Sequence, residues 1–519
     1  MMSWLPSPLQ CHDAAEEQQG ERGGLGNKGD AEAEAAVQIV RWAMTVASDE
    51  EPMFQRARRQ AGVPLAIATF DFNVHPALRM RVRCGVFHGA KSRIDGASAH
   101  RIIGLVTVLS RGNLLRSVPL AGPAAESVAR VWTSHDRVKA TLEHREPDRV
   151  PFDLGGSVLT GINVIAYGKL RKYLGLPEKP IEIYDAATQL ARVDQDMLDR
   201  LSVDVRSVDP GLAASSPLAT EVVNEGDYYA FDDEWGITWK MPVKGGHYFD
   251  MQAHPLADAE SVADLERFPW PDPLDAARFE TMKQRADRFV SNEKKAYILG
   301  RHAAGIFEVA LWMRGFENFF VDLAVNPSFA SALMDIITEQ KMRYWEHALD
   351  TVGENALIIS EADDLATQRG PMVSLDMYRE FIKPRHRRLF EHIKQKAQSR
   401  VYIFYHSCGA VADMIPDLIE EGIDILNPIQ VSTPGMDTAE LKKRFGKDIT
   451  FWGGGIDTQQ VLPRGTPQQV RDEVKRRIED LAPGGGFVFN TVHNIQGDVP
   501  PENIMAMWET LQEFGVYPT

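Results

Sequence analysis

His406 and Cys408 stand two residues apart at the end of the run Val401-Tyr402-Ile403-Phe404-Tyr405-His406-Ser407-Cys408-Gly409. Alternate residues of an extended segment point the same way, so imidazole and thiol project together. A soft thiolate beside an imidazole is a zinc-type ligand pair. Two ligands do not make a site, and a core cysteine beside a half-exposed histidine has the same spelling. A third group must come from elsewhere in the chain.

The elements that would position it are legible from residue 134 onward. Residues 401–405 are apolar or aromatic without interruption, the pattern of a strand buried on both faces. Seven similar runs lie at 149–155, 203–209, 296–301, 356–361, 423–428, 449–453 and 486–491. Amphipathic stretches alternate with them. Thr466-Pro467-Gln468-Gln469 combines an N-cap, an N1 proline and a capping-box glutamine, and Val470, Val474, Ile478 and Leu481 then keep one face apolar. Ser134 or Asp136 is expected to cap an earlier helix carrying Val138 and Leu142. Eight parallel β/α units, over somewhat more than the roughly 250 residues usual for the fold, predict an α/β protein built as a (β/α)8 TIM barrel. The long gap between the second and third runs alternates in the manner of an inserted β-hairpin over residues 221–250.

In such a barrel the chemistry sits at the C-terminal ends of the strands. Those positions hold Asp153, Asp209, Arg301 and His302 on the first three runs, and Glu361, Asp363 and Asp364 on the fourth. Beyond His406 and Cys408 come Asn427, Gln430, the glycines 453–455 with Asp457, then Asn490, His493 and Asn494. His493 supplies the third ligand, because its loop opens on the same end as His406 and Cys408. Three protein ligands with an open fourth position describe a catalytic zinc. Glu361 or Asp363 can fill that position at rest or orient a ligand. Asp363 and Asp364 are candidate proton acceptors, with helix capping as their structural alternative. Asp153, Asn427, Gln430, Gly454, Asp457 and Asn490 are expected to position substrate. The glycine run either binds phosphate through its N–H groups or clears space above the barrel, and no Walker-type Lys-Ser/Thr follows it. Trp235 and Trp239 pack the hairpin or cover a ligand.

The net charge of −16 argues against nucleic acid or an anionic membrane as the main partner. Charge is divided unevenly: residues 1–133 hold 15 Lys and Arg against 13 Asp and Glu, whereas residues 134–519 hold 42 against 60. Residues 12–36 are poor in large apolar side chains and read as disordered, and residues 1–133 as an N-terminal extension, largely disordered or the product of a start placed too far upstream. A short helix is expected near residues 36–47. Cys84 and His88 have helical metal-ligand spacing but no second pair. Three scattered cysteines, no signal peptide and no apolar run near the roughly 20 residues of a membrane span suit the cytoplasm.

The residues also resemble a known family. His135-Asp136-Arg137-Val138-Lys139-Ala140 through Glu146-Pro147-Asp148-Arg149-Val150-Pro151-Phe152-Asp153 is similar to the opening of the uroporphyrinogen decarboxylase superfamily. So are Asp363-Asp364-Leu365 with Gly370-Pro371, Phe381-Ile382-Lys383-Pro384, His406-Ser407-Cys408-Gly409 and Phe451-Trp452-Gly453-Gly454-Gly455-Ile456-Asp457. The resemblance spans about residues 134–517 and implies the barrel fold. Decarboxylases of this superfamily use no metal and carry an arginine-containing signature after the first strand; here residues 154–160 contain no arginine. The corrinoid-dependent methyltransferase branch, exemplified by methylcobamide:coenzyme M enzymes, implies zinc held by His-x-Cys and a later Cys. His406 and Cys408 match, and His493 departs from the pattern. The resemblance thus implies zinc-dependent methyl transfer between a corrinoid on a partner protein and a small thiol or methylated substrate. A carboxy-lyase acting on a porphyrinogen, and a barrel that only binds a tetrapyrrole or corrinoid protein, are the alternatives.

Overall fold

The computed structural model describes the backbone of residues 67–75, 78–86 and 102–110, and residues 131–214 and 222–518 in full. The chain divides into two compact units, residues 1–128 and 129–519. In the first, strands Ile67–His75, Leu78–Val86 and Ile102–Ser110 form an antiparallel sheet in that order. Cys84 lies in the middle strand opposite Ala68 and Gly104, in extended rather than helical backbone. The expectations for residues 12–47 and for His88 fall outside the described residues.

In the second unit seven parallel strands curl into a sheet: Val205–Val208, Ala296–Leu299, Ile358–Ala362, Tyr402–His406, Ile425–Asn427, Thr450–Trp452 and Phe487–Val488. They correspond to the second to eighth runs and are named so below. The first run closes the ring without forming a full strand. Phe152 makes a parallel bridge to Phe489, and its carbonyl accepts from Asp204 N at 2.9 Å. The result is the (β/α)8 TIM-barrel architecture. Alternation explains why the runs are apolar throughout. Val205, Ile298, Ile358, Tyr402, Phe404, Ile425, Trp452 and Val488 fill the barrel, plugged below by Val138 and Leu142. Ile359, Ile403, Tyr405, Leu426 and Phe451 face outward into the core beneath the helices.

The helices needed below are α1 (Ser134–Leu142), α2 (Gln195–Arg200), α3 (Met282–Asp287), α4 (Ile306–Arg314), α5 (Pro327–Val352), α6 (Lys383–Lys396) and α7 (Pro467–Leu481). Thr466 and Gln469 form the capping box of α7. At α1 the cap is Thr133, not Ser134 or Asp136: its hydroxyl accepts from Asp136 N at 3.0 Å. Ser134 instead donates to buried Asp204, which also takes Arg137 and Arg149. The insertion is larger than a hairpin. Tyr228–Asp232 and Thr238–Pro242 pair as expected, and Asp250–Ala253 and Val223–Asn224 extend them to four antiparallel strands. Trp235 is buried against Trp270 and His302, so it packs the insertion onto the barrel. Among the described residues no single helix is long and apolar enough to cross a membrane.

Candidate metal centre at the barrel mouth

His406 ends the fifth strand with its ring pointing toward the mouth. Its Nδ1 lies 2.6 Å from Asn427 Oδ1 at the end of the sixth strand. Asn427 Nδ2 donates to Trp452 O at 2.9 Å, which fixes the amide so that its oxygen faces the ring. Nδ1 therefore carries the proton, and Nε2 keeps a free lone pair. Cys408 Sγ sits 3.4 Å from that Nε2. The backbone carrying the thiol turns at Gly409 with φ +98°, where a Cβ would meet Ala366 O at 2.5 Å, so only glycine fits. Gln430 Oε1 accepts from Gly409 N at 2.7 Å and holds that turn. His493 reaches over from the loop after the eighth strand, its ring 5.6 Å from that of His406. Ligand atoms of His406, Cys408 and His493 lie within 4.8 Å of one another.

Burial pushes His406 down to about 4, helped by Arg301, and His493 to about 4, helped by His406. Both imidazoles are neutral at pH 7, as a metal ligand must be. The Cys408 thiol is pushed well up by burial and by Asp364 and Glu308. A thiolate there requires a cation. The donor set, its tautomer and its charge fit a divalent zinc-type ion.

The remaining candidates separate by what holds them. Asp364 belongs to the centre: its Oδ1 accepts from Cys408 N at 2.7 Å and lies 3.8 Å from His406 Nε2. Asp363, one residue earlier, is buried away from it. Its carboxylate accepts from Phe307 N and Glu308 N at 2.8 and 2.7 Å, capping α4, and from His386 Nε2 at 2.9 Å. Glu361 points to α5, where Lys341 and Trp345 hold it. Asp153 lies inside the barrel, accepting from Gly156 N and Trp452 Nε1, and burial raises it to about 6. Asn490 Nδ2 donates to Asp153 O, while its buried Oδ1 has no protein partner. Gly454 presses on Ile429, where a Cβ would come within 2.7 Å of the isoleucine Cβ, so it serves close backbone packing. Asp457 caps its own loop through Gln459 N and Gln460 N.

The family model for uroporphyrinogen decarboxylase (URO-D) matches residues 237–514. The chain belongs to the uroporphyrinogen decarboxylase family. Among curated relatives, the uroporphyrinogen decarboxylase of Alkalilimnicola ehrlichii is 24% identical over 297 residues, covering 55% of this chain and 74% of the relative. A methylated-thiol–coenzyme M methyltransferase of Methanosarcina mazei is 23% identical over 279 residues, covering 51% and 67%. A solved methyltransferase structure from Methanosarcina mazei aligns at 18% identity with a TM-score of 0.48, covering 74% of this chain and 99% of that one. Both chemistries thus occur among its relatives at similar identity.

One residue of this uroporphyrinogen decarboxylase family member escaped sequence reasoning. Glu308, in the first turn of α4, is pushed up to about 8 by burial, with Asp364 and Asp363 adding repulsion. Its side chain reaches back to Gly305 N at 3.2 Å. The capping-box spacing from Gly305 was the available signal, but it marks a helix start rather than a site. Arg301 also faces the acidic groups, donating to Ser360 Oγ at 3.3 Å while its Nε is unpartnered.

Proposed function

We propose that this chain transfers a methyl group between a methylcobamide carried by a partner corrinoid protein and a small thiol or methylated substrate, with zinc held by His406, Cys408 and His493. The convergence of those three ligand atoms, with His406 set in the correct tautomer by Asn427, carries the proposal. Zinc bound there would supply Lewis acidity that lowers the pKa of a thiol or hydroxyl. Asn427 keeps His406 Nε2 aimed at the centre. Asp364, beside the ligands, takes the proton a thiol gives up, whereas Glu308, raised to about 8, is protonated at pH 7 and is no acceptor. Asn490 Oδ1 offers a hydrogen-bond acceptor inside the mouth. A methylcobamide on the partner would supply the methyl group, its cobalt–carbon bond breaking with the electron pair left on cobalt as the carbon–sulfur bond forms, and the reverse would demethylate a methylated substrate.

A carboxy-lyase is a second reading because a uroporphyrinogen decarboxylase is among the relatives and Arg301, a cation at the mouth, has a buried Nε without a protein partner. A cytoplasmic location accompanies both readings. The test is metal analysis together with methyl transfer from methylcobalamin to a panel of thiols. Wild type should hold zinc and His406→Ala and Cys408→Ser should lose both metal and activity. A metal-free wild type with full activity would overturn the proposal. Loss of carboxyl groups from uroporphyrinogen would select the lyase instead.

A further inference from the structure

A cleft of about 680 Å³ opens beside the second strand, between the end of the first run at Gly155, α2, and the segment from α3 to Glu293. Four guanidinium groups line it: Arg192, Arg206, Arg285 and Arg288. Such a gathering in a chain of net charge −16 runs against the overall balance.

The carboxylates nearby do not neutralise it. Glu182 takes Arg192 at 2.8 Å. Asp194 is committed to Lys179 and Arg171 at 2.9 and 3.2 Å. Glu293 is shared, 3.1 Å from Arg288 and 3.6 Å from Arg206. Arg206 is only 4% exposed, and its Nε and Nη2 have no hydrogen-bond partner; Nη1 alone is satisfied, by Val203 O and Val205 O. Arg285 donates to Ser207 O at 2.5 Å, and the Asp209 carboxylate is 3.8 Å away. Burial and the neighbouring arginines push both Arg206 and Arg285 below the ordinary arginine value. A buried guanidinium with unfilled donors is costly unless an anion completes it.

We infer that this cleft is a binding site for a phosphate-monoester dianion, held by Arg206 and Arg285 with Arg192 and Arg288 at its rim. The planar guanidinium fork matches phosphate oxygens two at a time, and four arginines against Glu182, Glu293 and Asp209 leave the cleft cationic. The lining includes none of His406, Cys408 and His493, so its ligand is separate from the metal centre.

The test is calorimetric titration of the full chain with inorganic phosphate at constant ionic strength, with chloride and succinate as parallel arms. Wild type should bind phosphate and not chloride. Arg285→Gln and Arg206→Lys should each weaken binding by about tenfold, the loss of one charge-assisted hydrogen bond. Circular dichroism confirms that each variant is folded; Arg285 sits at the partly exposed edge, so its replacement leaves the core intact. Cys408→Ser should bind phosphate as wild type does. No phosphate binding by wild type, unchanged binding in Arg285→Gln, loss in Cys408→Ser, or tighter binding of succinate would each overturn the assignment.

Discussion

Replacing His386 with glutamine should remove a pH dependence of stability that wild type shows on the alkaline side. The imidazole is buried between two carboxylates, with Nε2 2.9 Å from Asp363 Oδ2 and Nδ1 3.2 Å from Glu421 Oε2. Burial opposes its charge, but the hydrogen bonds and the two negative charges prevail and raise it from 6.5 to about 9. A folded value above the unfolded one means that the proton stabilises the native state. That contribution is complete below pH 6.5 and disappears as pH rises through about 9. At about 1.4 kcal/mol per pH unit the gap is worth about 3 kcal/mol. Urea denaturation followed by circular dichroism at pH 6.5, 8 and 9.5 measures it. Wild type should lose about 3 kcal/mol more than His386→Gln across that span. The variant should already be weakened at pH 6.5, by about 3–5 kcal/mol, because two buried carboxylates lose the cation between them. Other groups titrate in the same window, including Glu308 near 8, and the difference between the two proteins removes them. Parallel curves would refute a charged His386.

Asn427→Leu should lower zinc affinity by about 10–100-fold in a chelator competition, since His406 loses the acceptor that sets its tautomer; unchanged affinity would show that the amide does not orient a ligand. Asp364→Asn should slow methyl transfer and leave the denaturation midpoint nearly unchanged, whereas Asp363→Asn should lower the midpoint by unseating α4 and His386. A shared phenotype would refute the division of labour between the two aspartates. Asp204→Ala should destabilise the base of the barrel by about 3–5 kcal/mol in denaturant, because Arg137 and Arg149 lose their common buried partner.

Much of this architecture is legible along the chain because its causes are local. Strands buried on both faces need continuous apolar runs, and helices announce their starts through side chains a turn away, as Thr466 and Gln469 do. The His406–Cys408 pair is local too, since strand parity puts both on one side. Chain position also places Glu361, Asp363 and Asp364 at one strand end without saying what meets them. Thr133 displaces Ser134 as a cap because Ser134 is drawn to Asp204, 70 residues away.

The sequence by itself therefore determined the barrel, its family and the existence of a His/Cys pair at its mouth. Only the tertiary structure decided the duties of neighbouring acids. Asp363 is claimed by α4 and His386, and Glu361 by Lys341 on α5, which leaves Asp364 beside the ligands. The tertiary structure also showed that Asn427 and Gln430, expected to position substrate, hydrogen-bond His406 and the Gly409 backbone. The physical reason is range. Secondary structure answers to groups within a few residues, whereas the use of a buried polar side chain is set by whichever donor folding brings to it from elsewhere in the chain.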